Sequence, residues 1–209
     1  MDRHVTLFHA PNTRSAGARV LLEELGADFD LHVINFKKKE QRDASYLKVN
    51  PMGKVPAIVH GDALVTEQPA IYIFLADLYA DKGLAPALDD PLRGPYLRWM
   101  AFYGSSFEPA LIDKGMHRPP IDPSMCPYGD YDTVLATLTD QLRKGPYLLG
   151  ERFAAADVLW GTALGWTTQA KLVPDLPEIM AYVARVKARP AAIKAAAADA
   201  ALAAELAGR

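Results

Sequence analysis

A chain of 209 residues, half of them hydrophobic and with a formal net charge of −2, has room for one large or two small cored domains. It carries no basic excess that would suit nucleic acid or an anionic membrane. Its one cysteine, Cys126, excludes an intramolecular disulfide, a redox pair and a thiolate zinc cage.

Residues 4–10 (HVTLFHA) alternate as a strand, with Val5, Leu7 and His9 on one side. From Ser15 the apolar positions Val20, Leu21, Leu22 and Leu25 follow helical spacing, and Gly26 suits a left-handed C-cap. Residues 30–36 (DLHVINF) are rich in β-formers and complete a βαβ unit. The charged stretch 37–50 predicts a loop with a short helix. Two apolar runs, 55–59 and 63–66, flank His60-Gly61-Asp62 as a hairpin. A helix follows over 68–80, with Ile71, Leu75 and Leu78 on one face.

Residues 83–95 hold two glycines and three prolines, and a linker is placed at 83–90. Strand alternation stops there. Helices are predicted over 91–112, 131–144, 154–170 and 176–189, with an alanine-rich helix from Pro190 to Ala207. The pattern predicts an α/β domain over 1–82 and an all-α domain over 91–209.

The apolar run of residues 5–8 is too short for a signal peptide, and the uncharged stretch 158–170 is too short to span a bilayer. A cytoplasmic location with no membrane partner is therefore expected. The five histidines (4, 9, 32, 60 and 117) lack metal-ligand spacing, and no glycine-rich phosphate loop is present, so no metal site is expected.

Three stretches carry a resemblance to a known family: NPMGKVPAIV (50–59), VTEQPAIYIFLAD (65–77) and GPYLLGERFAAADVLWG (145–161). Their character and spacing resemble those of cytosolic glutathione transferases, of a bacterial serine-type or nu/theta-like branch. The resemblance implies a thioredoxin-like N-terminal domain (βαβ-ββα, mixed four-stranded sheet) and an all-α C-terminal helical bundle. It also implies a cis Pro56 that leaves the backbone of Val55 free to pair with a peptide, and a homodimer. Glutathione is then the co-substrate. Glu67 would hold its α-amino group, Gln68 its γ-glutamyl carboxylate, and Gln41, Arg42 or Lys54 its glycine carboxylate. Ala154 replaces the family's Ser or Thr opposite Asp157, leaving half a capping box.

In this family the thiol sits at the start of the first helix, where the helix dipole and a hydrogen-bond donor favour the thiolate. No Tyr or Cys lies in that turn. Ser15 is the leading donor, with Thr13 and Asn12 as competitors, and Arg14 is a surface charge or a further cation. Ser15 also suits a simple N-cap. A small hydrophobic electrophile is expected in a cleft between the domains, beside Trp99, Phe102, Tyr103, Phe107 and Met116; helical spacing equally suits these rings to a core. The activity implied is conjugation, with peroxidase or reductase side activity. The alternatives are a non-catalytic glutathione- or protein-binding module, and a glutathione-dependent reductase or isomerase.

Overall fold

The computed structural model describes residues 2–208 and divides into two compact units. The first runs through Lys82 and takes up the chain again from Ala188, while the second comprises Gly83–Lys187.

In the first unit, strands β1 (Val5–His9), β2 (Phe29–Val33), β3 (Ala57–His60) and β4 (Ala63–Val65) form a mixed sheet of order β2-β1-β3-β4. β1 and β2 are parallel, joined through α1 (Ser15–Leu25), and β3 is antiparallel to both β1 and β4. Two strand ends fall two or more residues inside the predicted runs. β2 stops at Val33 because Asn35 Oδ1 accepts from the Lys37 and Lys38 N–H groups, turning the chain out of the sheet. β3 starts at Ala57 because Pro56 has no N–H to give the ladder. The short α2 (Ala44–Leu47) follows in the charged loop, and α3 (Gln68–Leu78) follows the hairpin. α1 buries Ala18, Leu21, Leu22 and Leu25 completely and ends on Gly26 at φ 57°, a left-handed cap that glycine adopts without strain.

The second unit is helical. The helix predicted over 91–112 is broken: α4 (Arg93–Phe102) passes through a π-helical turn (Tyr103–Phe107) into α5 (Glu108–Gly115). Pro109 lacks the N–H that would bond the carbonyl four residues back, so the register widens in the preceding turn. α6 (Tyr131–Leu142), α7 (Ala155–Gln169) and α8 (Pro177–Lys187) complete the unit. Gly161 lets α8 approach α7, since a Cβ there would lie 2.6 Å from Val186 Cγ2. The surviving half of the capping box is made, and Asp157 takes two further donors. Asp157 Oδ2 accepts from the Ala154 N–H at 2.8 Å, and Oδ1 accepts from the Leu148 N–H at 2.9 Å and the Tyr182 hydroxyl at 2.8 Å.

The last helix, α9 (Pro190–Ala207), departs from the prediction that the chain from 91 to 209 forms one domain. It packs along α1 and belongs to the first unit. Arg189 grips Glu24 with two bonds of 2.6 and 2.8 Å, Lys194 pairs with Glu23 at 2.6 Å, and Asp199 pairs with Arg19 at 2.9 Å. Alanine keeps the two helices close, and three ion pairs set their register.

Candidate functional site

The start of α1 and the start of α3 lie side by side in the first unit. Gln68 Nε2 donates to the Arg14 carbonyl at 3.1 Å, tying the two helix starts together. The first turn of α1 carries no acidic residue, so its dipole faces no side-chain anion there. Glu67 is exposed and holds φ 66° and ψ 121°, a backbone conformation that a side chain disfavours. Asn12 is likewise exposed and left-handed, at φ 58°.

The turn between β1 and α1 corrects the expectation for Ser15. Its side chain is 0% exposed and faces inward. Its Oγ lies 2.8 Å from His9 Nδ1, 2.8 Å from Thr13 Oγ1 and 3.0 Å from the Ala10 carbonyl, and it accepts from the Ala10 N–H at 3.1 Å. A hydroxyl so enclosed cannot also meet a thiol. Thr13 is half-buried and stands between this network and the surface; its Oγ1 donates to the Ala10 carbonyl at 2.7 Å and accepts from the Ser15 N–H at 3.2 Å. Ser15 is therefore a brace beneath the turn, and Thr13 and Asn12 are the side chains nearer solvent.

Val55 lies just ahead of β3, with the Val55–Pro56 bond cis as the resemblance implied. Its side chain joins a cluster with Phe8, Ile34, Tyr46 and Ala57. The segment is fixed from beneath, because the Lys54 carbonyl accepts from the Tyr46 hydroxyl at 2.5 Å and from Asn50 Nδ2 at 2.9 Å. Burial pushes the Tyr46 phenol up to about 12, so it stays a donor. The Lys54 side chain is exposed. Gln41 and Arg42 are brought against the same loop: Arg42 Nη1 reaches the Met52 carbonyl at 3.5 Å, and a Cβ on Gly53 would lie 2.7 Å from the Gln41 carbonyl. Gln41 Oε1 is buried without a hydrogen-bond partner among the described residues.

The expected aromatic wall is corrected as well. Trp99, Tyr103 and Phe107 are buried, and with Phe102 they surround Trp160 at ring-centroid distances of 4.9 to 6.2 Å. The Trp160 Nε1–H donates to the Trp99 carbonyl at 3.0 Å. These rings form the core of the second unit, and of the predicted set only Met116 is well exposed, at 68%.

Sequence reasoning missed His9, Tyr46, Asn50 and Asp199. The signals were a histidine on the buried face of a strand and a single acid inside the alanine run 195–204. His9 is 0% exposed, and its Nε2 lies 3.1 Å from Asp199 Oδ1, which also meets Arg19. Burial raises the Asp199 carboxyl, but the His9 and Arg19 contacts outweigh it and hold the group below the usual carboxylate range. No cluster of three metal-ligating side chains exists among the described residues.

Against known families, residues 3–77 match the glutathione S-transferase N-terminal domain and residues 128–185 match the C-terminal domain. A glutathione S-transferase of Nicotiana tabacum is 31% identical over 88% of this chain and 92% of its own length. The protein named glutathione S-transferase GstA from Escherichia coli O157:H7 is 28% identical over 88% and 93%. Among solved structures, a glutathione transferase from Methylococcus capsulatus superposes with a TM-score of 0.78 at 30% identity, covering 94% of this chain and 98% of that one. A sphingomonad glutathione S-transferase complexed with glutathione gives 0.75 at 30% identity, over 93% and 98%. With both domain models matched in order, the chain belongs to the glutathione S-transferase family.

Proposed function

We propose that the protein binds glutathione along the first unit and transfers its sulfur, as thiolate, to a small hydrophobic electrophile. The bond from Gln68 to the Arg14 carbonyl carries this reading, because it sets the two helix starts next to each other. The α3 start and Glu67 then receive the γ-glutamyl end, and the thiol meets the α1 start. Gln68 gives an amide N–H to Arg14, and Gln68, with its backbone N–H and the dipole at the α3 start, receives the γ-glutamyl carboxylate. The tripeptide backbone pairs with Val55, and Arg42 and Lys54 attract the glycine carboxylate, with Gln41 beside them. With Ser15 enclosed, Asn12 faces the sulfur, as does Thr13 once its proton swings from the Ala10 carbonyl to the thiolate. A free thiol with a pKa of about 8.5 is mostly protonated at neutral pH, so a helix start and one donor are what the chemistry needs.

Calorimetry with glutathione, followed by turnover with a chlorinated nitroaromatic, a peroxide and a glutathione disulfide, tests this reading. Binding with conjugation is the expected result. Binding without turnover favours a non-catalytic module, and turnover of the disulfide alone favours a reductase. The family resemblance extends the proposal to a cytoplasmic homodimer, which sedimentation and cell fractionation check; among the described residues no helix is long and apolar enough to cross a membrane.

A further inference from the structure

Beneath the α1 start lies a chain of four groups whose protons can be counted. In order from the surface they are Thr13 Oγ1, Ser15 Oγ, the His9 ring and the Asp199 carboxylate, with successive separations of 2.8, 2.8 and 3.1 Å. The Asp199 carboxylate lies 3.1 Å from Nε2, an electrostatic contact outside hydrogen-bond geometry, and its negative charge favours the ring proton there and leaves Nδ1 bare; this tautomer is assigned from the network. The two hydroxyl protons then have inner acceptors: Ser15 reaches His9 Nδ1 or the Ala10 carbonyl, and Thr13 reaches Ser15 Oγ or the same carbonyl. Both point inward. If the ring gains a second proton on Nδ1, that nitrogen becomes a donor to Ser15 Oγ, and the Ser15 proton turns to the Ala10 carbonyl. With Ser15 on that carbonyl, the Thr13 proton is released to turn toward an anion at the surface, which Thr13 stands nearer.

We propose that this chain is a proton relay, through which the glutathione thiol passes its proton to His9. The inference rests on the reading that the thiol meets the α1 start. The thiol proton moves to Thr13 Oγ1, the Thr13 proton to Ser15 Oγ, and the Ser15 proton to His9 Nδ1. No bond other than these O–H, S–H and N–H bonds changes. The products are a thiolate that accepts from the Thr13 hydroxyl and an imidazolium held between Ser15 Oγ and Asp199. The charged groups facing His9 are Asp199 from α9 and Arg19 from α1, and the latter shares the Asp199 carboxylate. Neither His9 nor Asp199 touches the substrate; both are positioning residues that act through Thr13.

Proton release on glutathione binding tests the relay directly, measured by calorimetry at neutral pH in buffers of different ionisation enthalpy, with thiolate read in parallel by ultraviolet absorbance. The unmodified protein is expected to form thiolate while releasing well under half a proton per thiolate. His9→Asn and Asp199→Asn should lower the thiolate fraction about tenfold at constant pH, Thr13→Val should do the same, and Thr13→Ser should restore it. Arg189→Met loosens α9 without touching the relay, so it should lower the melting temperature and leave the proton count unchanged. A full proton released per thiolate, or an unchanged thiolate fraction in folded His9→Asn, overturns the relay. Absence of glutathione binding or of any thiolate in the unmodified protein overturns instead the reading on which the relay rests.

Discussion

Asp157 in the second unit and Asp199 in the first are both buried, at 0% and 9% exposure, yet they meet different partners. Asp157 accepts from two backbone N–H groups and the Tyr182 hydroxyl, all neutral donors. Burial first, and then the Asp157 carboxylate, hold the Tyr182 phenol protonated well above its usual range, so this donor set does not change with physiological pH. Asp199 instead faces a histidine and an arginine, and the histidine leads to two hydroxyls under a helix start. A carboxylate among neutral donors holds a fold together. A carboxylate against an imidazole can also respond to a proton. The difference lies in the partners and not in the depth of burial.

The contrast can be broken first at Asp157. Asp157→Ala strips one acceptor from three donors and should cost about 3 kcal/mol in chemical denaturation, while glutathione affinity of the folded protein stays within twofold. A loss of affinity as large as the loss of stability would dissolve the distinction. Glu67→Gly comes next. Removing the side chain relieves the positive-φ backbone and deletes the proposed ammonium partner, so stability should hold while glutathione affinity falls about tenfold, roughly 1.4 kcal/mol. Ala154→Ser restores the missing half of the capping box and should add about 1 kcal/mol, read as a higher denaturant midpoint with an unchanged slope.

The smallest effect is the acid limb of stability. The folded Asp199 carboxyl sits below its unfolded value of about 3.9. Its contribution is therefore complete above about pH 4 and disappears as pH falls through the lower, folded value. Asp199→Asn should lose stability near neutrality and flatten the decline below about pH 4, measured by denaturation across pH.

The first unit was largely legible because each of its elements carries a local mark. β1 alternates, α1 repeats its apolar face, Gly26 closes it, and the Val-Pro step opens β3. Ser15 was ambiguous because one hydroxyl suits a helix cap, a thiol donor and a buried brace equally, and only its partners distinguish them. The aromatic run 99–107 was open to two readings for a related reason: helical spacing identifies a face but not what covers it, and Trp160 covers this one. α9 lost its affiliation because an alanine run has no apolar stripe to point with. Its partners are set by Arg189, Lys194 and Asp199, whose acceptors and donors lie about 170 residues earlier in sequence.

The central claim, that a glutathione thiol lies at the α1 start and is held there as its anion, is tested most directly by titrating the thiol of bound glutathione by ultraviolet absorbance. The account predicts a midpoint below about 7.5, as helix starts impose on thiols. A midpoint that stays near the free value of about 8.5 with the site saturated would contradict it.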